Sequence, residues 1–94
     1  MDLQKAFDAA LSQVERSLAA GMEAADGTSA RPQLERLREE LQAERENAIE
    51  RGAVNREWFQ RTLRWVVEWI PDSELTLVAA LGQIVRAETP PRSN

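Results

Sequence analysis

The sequence predicts an all-α protein: a compact bundle of four helices with a short disordered C-terminal tail. Three observations lead there. Apolar residues recur three and four apart over long stretches. No stretch alternates with the period of two that a half-buried strand requires. Gly27, Gly52 and Pro71 punctuate the chain at helix-length intervals. A chain of 94 residues fits one domain, placed at 1–88, with 89–94 as a Pro-containing tail or the start of a linker. A domain of this size buries only about 60% of the surface that its unfolded chain exposes. The core is therefore thin, and sharing apolar surface with a second copy would relieve it.

The first helix is expected near 2–25. Leu3, Phe7, Leu11, Val14, Leu18 and Met22 form its apolar stripe, Ala10 widens it, and Asp2 places a carboxylate at the positive end of the helix dipole. Gly21 starts the fraying and Gly27 is the expected stop. After a loop of turn-forming residues, Pro32 suits the first turn of a second helix near 32–51, where its missing N–H costs nothing, with Ser29 as a cap. Leu34, Leu37, Leu41, Ala48 and Ile49 are the apolar residues of this helix, set among ten charged ones. A stripe so narrow is expected to pack on one side only, with the helix on the outside of the bundle. Arg36 with Glu40 and Glu35 with Arg38 are spaced to form ion pairs along its surface.

Asn55 is the expected cap of a third helix near 55–70, and Pro71 its end, because the residue before a proline is pushed out of the helical region. Asp72 or Ser73 then caps a fourth helix near 72–88, whose strongest face is Leu77, Leu81, Ile84 and Val85. Gly82 inside that helix costs about 1 kcal/mol relative to alanine, which a close backbone crossing would offset. The third and fourth helices are expected to form a tight hairpin at Pro71–Asp72 and to supply most of the core.

The third helix carries the functional clue. It holds all three tryptophans and one of the two phenylalanines. At about 100° per residue, Trp58, Trp65 and Trp69 form one stripe, and Phe59, Leu63, Val66 and Ile70 a second beside it. With Val67 they span roughly 200° of the circumference, about twice what a helix facing a single core needs. Burying one tryptophan removes about 150–250 Å² of surface from water, and monomers rarely leave a cluster of that kind exposed. The surplus predicts a partner-binding surface of Trp58, Phe59, Arg61, Arg64, Trp65, Val67 and Trp69, with the arginines at its rim.

Composition narrows the function classes. There is no Cys and no His, so thiolate chemistry, Cys- or His-ligated metals and the commonest neutral-pH general base are absent. There is no Tyr, and Lys5 is the single lysine. No serine has a base to activate it beyond distant carboxylates or Lys5. Without His, paired glutamates such as Glu40 and Glu44 do not make a di-metal bundle site, and read as a solvated charged face. No catalytic residue, cofactor or metal is expected. A net charge of −4 argues against nonspecific nucleic-acid binding. No stretch reaches the ~18 apolar residues of a membrane span, and no signal peptide is visible, so the cytoplasm is the default. The Ala-, Arg- and Glu-rich composition has a bacterial character.

The expectation is a non-enzymatic protein–protein interaction module, an adaptor, assembly factor or inhibitor. Its partner is a second copy in a homodimer, or a different protein. The alternative is a membrane-peripheral protein using the Arg/Trp helix. Three arginines against two glutamates between 55 and 70 leave that segment little excess charge for it. A small carboxylate-dependent enzyme is the third reading, and the sequence offers no constellation for it.

Overall fold

The computed structural model describes residues 2–88, and the 89–94 tail lies outside them. Four α-helices follow one another: α1 (Leu3–Ala19), α2 (Arg31–Arg51), α3 (Arg56–Trp69) and α4 (Leu75–Glu88), with a 3-10 turn over Asp72–Glu74 between the last two. The all-α bundle expected from apolar spacing is what the chain forms. Among the described residues no helix is long and apolar enough to cross a membrane.

Helix α1 begins where expected: the Asp2 carboxylate accepts the Lys5 N–H at 2.8 Å. It ends earlier than expected. Gly21, not Gly27, is the stop. With φ of +68°, Gly21 donates its N–H to Leu18 O at 3.2 Å, and Met22 donates to Ser17 O at 3.1 Å. These paired bonds satisfy the last carbonyls of the helix and need a left-handed residue at position 21. The chain from Met22 to Ala30 then folds on itself through a single antiparallel bridge between Glu23 and Ser29. Asp26 accepts both the backbone N–H and the hydroxyl of Thr28. These bonds, the hydroxyl's first, hold its carboxyl below the usual range. Ser29 is not the cap of α2: Ala30 holds that position without a side-chain capping bond, and Ser29 Oγ, one residue earlier, accepts the Arg31 N–H at 3.2 Å.

Helices α1 and α2 run antiparallel. Arg38 meets Glu15 at 2.8 Å, and Arg45, seven residues further along α2, meets Asp8, seven residues back along α1, also at 2.8 Å. These pairs replace the expected Glu35–Arg38 contact, and Glu35 instead meets Arg31. All three are surface pairs screened by water, so they mark the register more than they hold it. The hold comes from Phe7, Ala10 and Val14 of α1 packed with Leu34, Leu37, Leu41 and Ala48 of α2, all fully buried. Helix α2 is therefore a wall of the core and does not lie outside it. Its few leucines are enough because they sit on one side at spacings of three and four.

The expected α3–α4 hairpin as the main source of core is also corrected. Helix α1 is the hub, packed along both α2 and α4, while the backbones of α3 and α4 approach each other over a short stretch only. Leu77, Leu81 and Ile84 of α4 are fully buried. Asn55 caps α3 as expected, its side chain accepting the Trp58 N–H at 3.1 Å. Ile70 is extended at the position before Pro71. Neither Asp72 nor Ser73 caps α4, because the 3-10 turn leads straight into it.

Gly82 does not mark a close crossing: a Cβ built there meets nothing within 4 Å. Its lower helix propensity is thus uncompensated by packing. Gly82→Ala is expected to raise stability by about 0.5–1 kcal/mol, read as a higher urea midpoint at unchanged slope.

Candidate protein-binding surface

The three indoles on α3 do different jobs. Trp58 is 7% exposed. Its ring lies 6.4 Å from that of Phe7 on α1, and its Nε1–H donates to Glu40 on α2 at 2.9 Å. Trp69 is 8% exposed, and its backbone carbonyl accepts the Ala25 N–H from the α1–α2 loop at 2.8 Å. These two anchor α3 from within, one near each end. Trp65 is only half-buried. It meets Trp69 edge-on, with centroids 5.3 Å apart at 65°, and the Arg36 guanidinium of α2 lies 5.1 Å from its ring centroid. Arg36–Trp65 and Glu40–Trp58 together show that α3 runs antiparallel to α2.

The inward line of α3 is Trp58, Thr62, Val66 and Trp69, with Ile70 buried just beyond the helix. Phe59 and Leu63 are half-buried against the core, Arg61 and Arg64 are exposed, and Val67 is 54% exposed. Val67 stands two residues from Trp65, hence roughly 160° away around the helix. The residues expected to make one surface therefore divide. Trp58 and Trp69 turn inward, Trp65 with Arg61 takes one flank, and Arg64 lies roughly 100° from Trp65 and roughly 60° from Val67, on the exposed side between them.

Between α2 and α3 lies an open cleft of about 370 Å³, lined by Arg36, Glu40, Arg61, Thr62 and Trp65. Trp65 and Arg61 were legible as candidates; Arg36, Glu40 and Thr62 were not. Arg36 and Glu40 are spaced for an ion pair along α2, yet each turns to an indole on α3 instead. An indole offers Arg36 a flat, electron-rich face and offers Glu40 a donor, and neither partner is visible from α2 alone.

The charges of the cleft are unevenly matched. Arg31, Arg38, Arg45 and Arg51 each meet a carboxylate. Among the described residues, Arg36 and Arg61 meet none. Glu40 is the one acid in the lining, and one of its oxygens already serves Trp58. Chemically the cleft offers two guanidinium forks, a hydroxyl-bearing wall and a half-open indole. Among the described residues there is no cluster of three acidic side chains placed to hold a metal.

Comparison with known protein families, with curated proteins and with solved structures returns no match.

A second position stands out for structure. Glu44 of α2, grouped in the sequence with the solvated face, is 6% exposed. Its Oε2 accepts from Arg51 Nη2 at 2.9 Å and from the Asn55 N–H at 2.9 Å. It ties the end of α2 to the start of α3, and so sets where α3 departs. The spacing does mark it: Leu34, Leu37, Leu41, Glu44 and Ala48 follow one another three and four apart, so Glu44 falls on the buried stripe, a signal that its charge obscured.

Proposed function

We propose that this chain is a non-enzymatic protein–protein interaction module, an adaptor, assembly factor or inhibitor, that self-associates through the face of α3 bearing Trp65 and Arg61, with Arg64 at its rim. The observation that carries the reading is the division of labour among the indoles. Trp58 and Trp69 fasten the helix inside the protein, while Trp65 keeps one side open to water beside two exposed arginines. A large aromatic held rigid by its neighbours and rimmed with Arg has the make-up of a binding hot spot, because little side-chain freedom is lost when it is covered. A different protein could occupy the same flank with the same contacts.

The inventory supports a binding role over catalysis, since no His, Cys or Tyr is present and the serines lack an activating base. The membrane-surface alternative is the weaker reading. With two indoles turned into the core, α3 keeps two half-buried aromatics, Phe59 and Trp65, roughly 120° apart around the helix, whereas interfacial helices present a broad apolar face.

Sedimentation equilibrium from micromolar to submillimolar protein tests the reading. A reversible dimer is expected, with Trp65→Ala weakening it by at least about tenfold at unchanged helix content. A strict monomer across the range contradicts self-association.

A further inference from the structure

We propose that the α2–α3 cleft is a receptor for a carboxylate: it takes one Asp or Glu side chain of a protein partner, with an aliphatic neighbour of that residue packed on the open side of Trp65. The proposal rests on the reading that this face meets another protein. It does not require that protein to be a second copy.

Charge is the first argument. Arg36 and Arg61 come to one cleft from two different helices, and among the described residues neither has a carboxylate partner. Two guanidiniums that line one cleft beside a single glutamate give it a net positive charge, which an anion offsets. The depression between α1 and α2, about 450 Å³, shows the contrast: its Arg45 is already occupied by Asp8. There the arginine has its own acid; in the α2–α3 cleft two guanidiniums share a lining with a single glutamate, which leaves one positive charge unmatched.

Geometry and residue type select the anion. A guanidinium presents N–H groups in a planar fork that matches a carboxylate with two parallel hydrogen bonds. Arg36 is already oriented by the Trp65 ring, which reduces the freedom lost when it binds. Glu40 stands in the same lining. It repels a phosphate dianion more strongly than a singly charged carboxylate, so the cleft favours the weaker charge. The indole then provides an apolar floor next to the forks, which suits an acidic residue flanked by a Leu or Ile better than a run of acids.

The test is a titration of the protein, labelled with nitrogen-15, with three probes: the amidated peptide acetyl-Ala-Leu-Glu-Leu-Ala, the same peptide with Gln in place of Glu, and inorganic phosphate. The three indole N–H resonances report where each probe binds. The Glu peptide is expected to move the Trp65 resonance in a saturable, salt-weakened way, with Trp58 and Trp69 nearly still. The Gln peptide is expected to bind at least about tenfold more weakly, as is Arg61→Gln with the Glu peptide. Arg61 is exposed, so this variant keeps the fold, and Arg86→Gln, on the exposed side of α4, serves as the control that removes the same charge away from this face. Equal binding of the Glu and Gln peptides, tighter binding of phosphate, equal losses for the two arginine variants, or no movement of Trp65 at millimolar peptide would each overturn the proposal. The failures are separable. A monomer whose Trp65 answers the Glu peptide removes self-association and keeps the receptor. A Trp65-dependent dimer that ignores the peptide does the reverse.

Discussion

Truncating Trp58 to alanine is expected to remove about 4 kcal/mol of unfolding free energy, a large part of the 5–15 kcal/mol that holds a typical domain. Trp58 touches Phe7 of α1 and Glu40 of α2 at once, so its loss opens a cavity where three helices meet. A milder pair of variants isolates the role of the indole nitrogen. Trp58→Phe and Trp69→Phe remove similar volumes from similarly buried sites, yet only Trp58 has a bonded N–H. Trp69 Nε1 is buried with no partner. Trp58→Phe forfeits a bond to a carboxylate, worth about 1.5–3 kcal/mol, whereas Trp69→Phe removes a donor that is unpaired in the folded state. Trp58→Phe is therefore expected to be the less stable of the two by about 2 kcal/mol, read from urea unfolding curves. Equal losses would show that the Trp69 nitrogen has a bonding partner in solution.

Glu44→Ala has the second largest expected effect, a loss of about 2–3 kcal/mol. It removes two hydrogen bonds to a charged acceptor, and leaves the Asn55 N–H without its acceptor at the turn into α3. The released Arg51 side chain is half exposed and regains water, which keeps the loss below that of a fully buried pair. Glu44→Gln retains an acceptor for Asn55 but not the charge, so it should fall between the parent and the alanine variant in chemical denaturation. A loss no larger than that of Glu46→Ala, on the exposed face of the same helix, would show that Glu44 is solvated in solution.

Local signals in the sequence settled some helix ends and missed others: Ser29 and Asp72 or Ser73 do not cap as expected. Asp2 and Asn55 cap as their side chains predict, Pro71 ends α3, and the apolar spacing places all four helices to within a few residues, apart from the C-terminal end of α1. There two glycines competed, and the paired bonds of Gly21 and Met22 decided the outcome. What failed was everything that depends on which helices meet. Helix α2 looked thin because its composition is charged, yet five positions on one side were enough to wall the core. Gly82 suggested a crossing that α4 does not make.

The candidate surface was half legible for the same reason. Periodicity counted the greasy circumference of α3 correctly but could not divide it between the protein's own interior and the outside. That division is made by Arg36, Glu40 and Phe7 on other helices. They cover Trp58 and one side of Trp65, and leave Val67 and the other side of Trp65 open.

The account turns on Trp65 being the indole that faces a partner. Indole N–H spectra of the protein over a dilution series, from submillimolar to micromolar, test it most directly. The Trp65 resonance is expected to shift with concentration along the same isotherm as the sedimentation data, while Trp58 and Trp69 stay fixed and exchange slowly with solvent. Three indoles that move together, or a Trp65 resonance that ignores concentration while the protein dimerises, would contradict it.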